Sequence, residues 1–484
     1  VIPALIQDEH PSVLASRAVE PLFFEAPVPP DRTAKRYQHA GVEYCLARNN
    51  AIIGDQPGVG KTAQGIFLSN AIGAKRTLVV CPASLRLNWE REIWQWSTTE
   101  NVKTYPVMKA SDGISSEADY VIISYDLLRN PAILEAVMDL RWDHFVADEA
   151  HALKDPKGNK RTRVICAPDA LPSVVGRITL LTGTLLPNQP IECYNAIRLC
   201  DWDAIDNASL EDFRKFYYDK GQGFVTVFDK AQGKTVTKFS NAVLNQPKNM
   251  ADLQYRLRKN LMVRRLKDQV LHELPPKQWH PFPLDVTSDI RRAINHPGWK
   301  QAEKLYDLDP DGFAKAIPVD GAVSTARLEL GLAKAPGTIA YIEDLLDSGV
   351  EKVVVGAWHI QVMDKMREAL GKYGLVYMDG RTSDAKKQVA VDAFQNNDGV
   401  RIILGQMIPL GEGWTLTRAK DVVLAEPFWV PGKNDQLIDR CHRLGQLDNV
   451  IGHIPVVPGT LDERILGTVI EKDKNIHLAL DARG

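Results

Sequence analysis

The sequence predicts an α/β fold: two parallel-sheet units with a mainly helical insertion between them. Two observations predict it. Short β-branched runs alternate with longer amphipathic segments in two separate series, and the alternation lapses from about Asp201 to Lys334. Near-continuous apolar runs of this kind suit parallel strands covered on both faces. At 484 residues the chain has room for more than one core, and 44% hydrophobic with 25% charged residues is an ordinary globular composition.

Residues 1–30 end in the proline-rich "EAPVPPD" and read as an extended lead-in. The first unit is expected over 31–200. Its strands are "AII" (Ala51 to Ile53), "TLVVCP" (Thr77 to Pro82), "YVIISY" (Tyr120 to Tyr125), "HFVADEA" (His144 to Ala150) and "RITLLTGT" (Arg177 to Thr184). Residues 201–334 carry aromatic and charged segments, "LEDFRKFYYDKGQGF" and "YRLRKNLMVRRLKDQV", read as helical insertion and linker. Leu253, Leu257 and Leu261 give the second of these an apolar helical face. The second unit, 335–484, brings "KVVVGA", "LVYMDG", "RIILGQ" and "DVVLAE".

A formal net charge of −2 means that any nucleic-acid partner must be drawn by local basic patches rather than by bulk charge. Two are candidates: "KDPKGNKRTR", with Lys154, Lys157, Lys160, Arg161 and Arg163, and "RLRKNLMVRRLK", with Arg256, Arg258, Lys259, Arg264, Arg265 and Lys267. Each reads equally well as a solvated face or a DNA groove. The six cysteines include no C-x-x-C pair, which disfavours structural zinc and a disulfide framework. No apolar run reaches the length of a membrane span and no signal peptide stands out, so a soluble, intracellular setting is expected.

The chemistry gathers in two short stretches. "GDQPGVGKT" (Gly54 to Thr62) follows an apolar run and precedes a helix-like segment, the setting of a phosphate loop. Backbone N–H groups from Gly58 to Lys61 would face phosphates, Lys61 would pair with β/γ oxygens and Thr62 would hold Mg²⁺. A glycine turn with an accidental Lys-Thr is the alternative, and Asp55 departs from the common G-x-x-x-x-G-K-[ST] pattern. "DEAH" (Asp148 to His151) falls at the C-terminal end of an expected strand, where α/β sheets place their chemistry. There Asp148 would orient Mg²⁺ and Glu149 would position and deprotonate the attacking water.

Together these residues resemble the Snf2 family of superfamily 2 helicase-like ATPases, whose loop has the form D-x-x-G-x-G-K-T. Asp55 belongs in that pattern; Gln56 and Pro57 depart from it. "YQHAGVEYCLARNNA" resembles the Q motif, with Gln38 reading adenine. "VVCPASLRLNWERE" resembles motif Ia, "IISYDLL" motif Ib, "LTGTLLPN" motif III, and "LMVRRLKDQVLHELPPK" the segment that follows it. "GEGWTLTRAKDVVLAEPFWVPG" resembles motif V and "QLIDRCHRLGQ" motif VI. In the latter Arg440 and Arg443 lie three apart, so one helix face would present both. An arginine finger contributes about 10³–10⁵ in rate.

The resemblance implies two RecA-like lobes, ATP and Mg²⁺ as cofactors, nucleotide contacts that include Asp55, Gly58, Gly60, Gly411 and Gln436, and translocation along double-stranded or forked DNA. Duplex contacts would be to phosphates, from Ser84, Asn88, Lys154, Thr415 and Thr417. "ARLELGLAKAP", "GAWHIQVMDKM" and "AEPFWVPG" are most like the annealing-helicase and fork-remodeller branch, here in a minimal form of bacterial or phage type. Either a targeting protein recruits such a motor, or the insertion senses fork shape; a monomer is expected. The alternatives are a strand-separating DNA or RNA helicase, the motor subunit of a defence or restriction complex, and a DNA-binding scaffold with weak ATPase. Trp299, His296, Trp414 and Trp429 read as packing residues.

Overall fold

The computed structural model describes residues 10–155, 160–183, 185, 189–229, 234–308, 321–411, 413–428 and 431–467. In chain order its strands are β1 Ala51–Ile53, β2 Thr77–Cys81, β3 Thr104–Pro106, β4 Tyr120–Ser124, β5 Trp142–Asp148, β6 Val175–Leu181, β7 Tyr218–Asp229, β8 Lys234–Pro247, β9 Met262–Val263, β10 Lys277–Pro283, β11 Val353–Ala357, β12 Leu375–Met378, β13 Ile402–Gln406, β14 Asp421–Leu424 and β15 Val450–Val456. The described residues divide into two compact units, 10–217 with 247–272 and 218–246 with 273–467.

The first unit holds a seven-stranded sheet in the order β3-β4-β2-β5-β6-β1-β9, with every pair parallel. Strands β1, β2 and β4 are buried at every position, which is what their uninterrupted apolar sequences require. Helices Lys61–Ala71 and Arg86–Trp96 each follow a strand and cover the sheet, sharing a core that includes Ile66, Phe67, Trp89, Ile93 and Val146. The second unit holds a six-stranded sheet, β10-β15-β14-β11-β13-β12, also parallel throughout. Both sheets thus match the expected α/β class.

Three expectations need correction. The stretch 201–334, read as helical insertion and linker, also contributes to both sheets: β9 adds an edge strand to the first, and β10 adds one to the second. It also carries β7 and β8, a two-stranded sheet, beside its helices. The lead-in is not simply extended. Helix Pro11–Arg17 buries Val13 and Ser16, and Ser16 Oγ donates to the carbonyl of Met262 at 2.8 Å. The predicted face of Leu253, Leu257 and Leu261 is buried, the first two on helix Met250–Asn260. Trp299 and Trp414 are buried packing residues, as read; Trp429 lies outside the described residues. Among the described residues no helix is long and apolar enough to cross a membrane.

One buried polar link inside the first unit has a thermodynamic signature. His144 on β5 is fully buried, with Nδ1 2.8 Å from Ser69 Oγ and Nε2 2.8 Å from Thr179 Oγ1. Burial pushes its pKa down to about 3 from 6.5. The folded state therefore binds fewer protons than the unfolded chain between those values, so this contribution is complete above 6.5 and fades as pH falls toward 3. Asp148, raised by burial, acts in the opposite sense over a narrower window. We predict that the fall in melting temperature from about pH 7.5 to about pH 5 is smaller in His144→Asn than in the parent, by differential scanning calorimetry. An equal fall in both contradicts a buried neutral imidazole.

Candidate nucleotide site

Strand β1 runs into a loop whose shape two glycines permit. Gly58 and Gly60 have φ of +88° and +83°, a left-handed conformation that side chains disfavour. A Cβ at Gly60 would also lie 2.4 Å from Gln38 Nε2, so the Q-motif amide is packed against the loop. Helix Lys61–Ala71 starts immediately afterwards, which directs its unpaired N–H groups to the loop's concavity. Lys61 Nζ donates to the carbonyls of Asp55 at 2.9 Å and Gln56 at 3.2 Å, arching back over the loop. Gln38 Oε1 accepts from Lys35 N–H at 2.9 Å.

Asp55 corrects the sequence reading. It is completely buried, and its carboxylate is consumed by protein donors: the backbone N–H and Nε of Arg265, both at 2.9 Å to Oδ1, and Gln64 Nε2 at 2.9 Å to Oδ2. Burial alone would raise the pKa of Asp55, but the Arg265 guanidinium outweighs it and holds the carboxyl below the usual range. A side chain so enclosed shapes the loop instead of touching a nucleotide.

Arg265 belongs to the basic cluster that reads from sequence as a solvated face or a DNA groove. Part of that cluster is neither. Arg258, Arg264, Arg265 and Lys267 are all buried. Arg264 Nη1 donates to the carbonyls of Gly54 and Gly183, Arg265 Nη1 to that of Tyr37, and Arg258 Nη1 to that of Arg264. Arg256 pairs with Asp206 and Asp252.

The two departures from the familiar loop gain a physical account here. Gln56 Oε1 accepts from Lys267 N–H at 2.8 Å while its own N–H donates to the Arg265 carbonyl at 3.1 Å. Pro57 packs so closely on Gly183 that a Cβ there would approach it to 2.7 Å. Both residues fasten the loop to its surroundings. Thr184 and Asn188, at the end of the same "LTGTLLPN" stretch, lie outside the described residues.

Asp148 ends β5 and is buried. Its Oδ2 accepts from Trp89 Nε1 at 2.9 Å and its Oδ1 from Glu149 N–H at 2.8 Å. Burial, then the Glu149 charge, pushes its pKa up to about 6; the Trp89 hydrogen bond and Lys61 pull the other way. Strand register brings the loop and the acidic pair to one edge of the sheet: Ile53, just before the loop, and Asp148 both pair with Leu181 on β6. Glu149 has φ +50° and ψ +48°, a left-handed geometry that costs a non-glycine residue about 1–3 kcal/mol. Its Oε2 lies 3.1 Å from His151 Nδ1. Asp148 and Thr62 are oxygen donors, and Mg²⁺ takes one or two carboxylates together with phosphates, so the residues present fit the ion.

In the second unit, Gly411 ends a short helix, Met407–Gly411, with Gln436 Cβ 4.0 Å from where its own Cβ would be, so these two predicted nucleotide residues are neighbours. The expected helical display of Arg440 and Arg443 does not occur: helix Pro431–Ile438 ends before both. Each guanidinium instead bonds four residues back, Arg440 Nε to the Gln436 carbonyl and Arg443 Nε to that of Asp439, both at 3.0 Å. Arg440 is only 2% exposed; Arg443 is half-buried and donates to Thr415 Oγ1 at 3.3 Å.

Among the predicted phosphate contacts, Ser84 is buried and unsuited to an external ligand. Asn88 and Thr417 are half-buried, and Thr415 and Lys154 are exposed, Lys154 lying 3.8 Å from Glu192. Arg163 is exposed; Lys157 and the side chains of Lys160 and Arg161 fall outside the described residues.

Comparison with known proteins decides the family. Residues 37–309 match the SNF2-related domain, and residues 337–445 match the helicase conserved C-terminal domain.

The chain belongs to the SNF2-related family.

This SNF2-related chain is 30% identical over 446 residues to the Xenopus laevis "SWI/SNF-related matrix-associated actin-dependent regulator of chromatin subfamily A-like protein 1", covering 90% of the chain and 43% of that protein. It is 27% identical over 467 residues to the human "DNA annealing helicase and endonuclease ZRANB3", covering 94% of the chain and 41% of that protein. The chain therefore spans less than half the length of these relatives. A solved Sulfolobus solfataricus SWI2/SNF2 ATPase core in complex with dsDNA aligns over 96% of the chain and 95% of its own, at 21% identity and a TM-score of 0.41.

Gly60 offers the sharpest test of the loop geometry. Gly60→Ala must adopt a positive φ and displace Gln38, so fluorescent-ATP titration should show about a tenfold or greater loss of affinity, since alanine at positive φ costs more than about 1 kcal/mol. Wild-type affinity in that variant contradicts the geometry.

Proposed function

We propose that this chain is an ATP-dependent double-stranded DNA translocase that remodels or reanneals forks, junctions or DNA–protein complexes. The observation that carries this reading is the strand register that brings the Gly54–Thr62 loop and the Asp148–Glu149 pair to one edge of the first sheet, in a chain of the SNF2-related family. Lys61 and the loop N–H groups hold the triphosphate; Thr62 and Asp148 would hold Mg²⁺, which when bound would supply positive charge against the phosphates. Glu149, held in its strained backbone geometry, aligns the attacking water and accepts its proton. Arg443 supplies positive charge to the transferred phosphoryl group, and buried Arg440 supports the motif VI turn. Gln38 reads adenine, with Gly411 and Gln436 as further nucleotide contacts.

Asn88, Lys154, Thr415 and Thr417 contact phosphates of the duplex, so the motor tracks the backbone without reading bases. One relative's name describes an annealing helicase, which supports reannealing over strand separation for this chain. The protein acts as a monomer, and either a targeting protein recruits it or the 201–334 stretch senses fork and junction shape.

Steady-state ATPase compared across duplex, forked and single-stranded DNA and RNA tests the substrate class. Duplex or forked DNA should stimulate most; strongest stimulation by RNA overturns the reading. Lys61→Ala and Glu149→Gln should each abolish hydrolysis while keeping the melting temperature and DNA affinity, and unchanged turnover in both refutes the site. Duplex affinity should fall steeply with salt, the log–log slope growing by about 0.9 per neutralised phosphate. A flat dependence excludes backbone tracking.

A further inference from the structure

Asp148 is where two other elements of the first unit end. One is helix Arg86–Trp96, which carries Asn88, a proposed duplex contact, and beside it Trp89, 1% exposed, whose indole N–H donates to Asp148 Oδ2 at 2.9 Å. The other is the segment just after β4, where Tyr125, 4% exposed, donates its hydroxyl to the Asp148 carbonyl at 2.7 Å. The carboxylate and the backbone of one residue are thus gripped by two separate chain segments, one of which carries a proposed duplex contact.

The grip is stiff. The N-terminal turn of the helix is pinned by Arg86, whose Nη1 donates to the carbonyls of Val107 and Met108 and whose Nε donates to that of Ala83. Trp89 itself sits in the core beneath the sheet with Ile66, Phe67 and Val146. A rigid helix with a buried indole cannot tilt or slide without carrying its N–H donor away from, or closer to, the carboxylate. Asp148 Oδ1 is occupied by its neighbour's N–H, so the indole is the one described side-chain donor that fixes how the carboxylate is turned.

We propose that Trp89 and Tyr125 are positioning residues that make the orientation of the metal-holding Asp148 depend on duplex binding. The inference rests on the proposed function and goes beyond it by naming the physical link between DNA contact and the hydrolytic site. Duplex contact at Asn88 moves the rigid helix as a unit, the helix carries the indole with it, and the indole turns the Asp148 carboxylate. Tyr125 holds in place the backbone that carries it.

The test compares the full-length parent with Trp89→Phe, Tyr125→Phe and Trp142→Phe. Tyr125→Phe removes a single hydroxyl and keeps the ring, so it remains informative if Trp89→Phe fails to fold. Trp142 is an equally buried indole that donates to the Val137 carbonyl, away from Asp148, and controls for loss of aromatic bulk. Three quantities are read: the ratio of duplex-stimulated to basal ATPase, duplex affinity, and the extra thermal stabilisation that Mg²⁺ adds to a non-hydrolysable ATP analogue.

Trp89→Phe should lower the stimulation ratio about tenfold, the scale of one hydrogen bond to a charged group, and lose most of the Mg²⁺-dependent stabilisation. Tyr125→Phe should lower both in the same direction by about threefold, the scale of a neutral hydrogen bond. Duplex affinity should stay within about twofold in both, and Trp142→Phe should keep the parental ratio. Parental ratios in Trp89→Phe and Tyr125→Phe overturn this inference alone, as does a fall in stimulation matched by an equal fall in duplex affinity. A parent that shows no duplex stimulation overturns the proposed function together with it.

Discussion

A fully buried ion pair between Arg265 and Asp55 holds the phosphate loop, and the rest of the first unit's chemistry depends on it. Charges taken from water are tolerated only when paired and hydrogen-bonded, and here both members are. The guanidinium binds the Asp55 carboxylate, Gln64 Oε1 and the Tyr37 carbonyl; the carboxylate in return binds Gln64 and the Arg265 backbone. Its two members stand 210 residues apart in sequence, so the loop reaches its final shape only after β9 has docked beside β1. Gln56 and Pro57 then close the loop against Lys267 and Gly183. An uncommon loop sequence is accommodated because its neighbours are built around it.

The same arrangement explains why catalytic geometry and fold stability are hard to separate in this protein. Helix Lys61–Ala71 supplies Lys61 at one end and Gln64 to the ion pair within its first turn. Strand β5 supplies His144 to the core and Asp148 to the site. Among the described non-glycine residues with positive φ, the others are Asn101, Asp206, Asn207 and Asn249, types that tolerate the left-handed region; Glu149 does not, which is where stored strain has a functional reading. The second unit repeats the logic with a different polar core: His453 on β15 bonds Asp421 on β14 and Tyr341, which lets an imidazole occupy a buried strand.

Much of this was legible in the sequence. β2, β4, β5, β6, β11, β13 and β14 announce themselves because each is a near-continuous apolar run, and the loop and "DEAH" follow strands as such motifs must. β15 was missed because Gly452, His453 and Pro455 break its apolar run, and β10 because "KQWHPFP" has two prolines and alternates in burial. The two-residue β9 carries no periodicity to detect. "RRLK" looked exposed because burial of Arg264 and Arg265 depends on acceptors from Gly54, Asp55 and Gly183, distant in sequence. A carboxylate at position 55 beside two adjacent arginines late in the unit was the available signal. The motif VI arginines were placed on a helix face because spacing alone cannot show that the helix stops at Ile438.

The most direct measurement of the central claim is a double-mutant cycle on ATP affinity with Asp55→Asn, Arg265→Met and the pair combined. If the two residues act as one buried unit that shapes the loop, the double variant should bind ATP no worse than the weaker single variant, a coupling of about 1–3 kcal/mol. Additive losses would show that Asp55 serves the nucleotide independently of Arg265, and the account would be wrong.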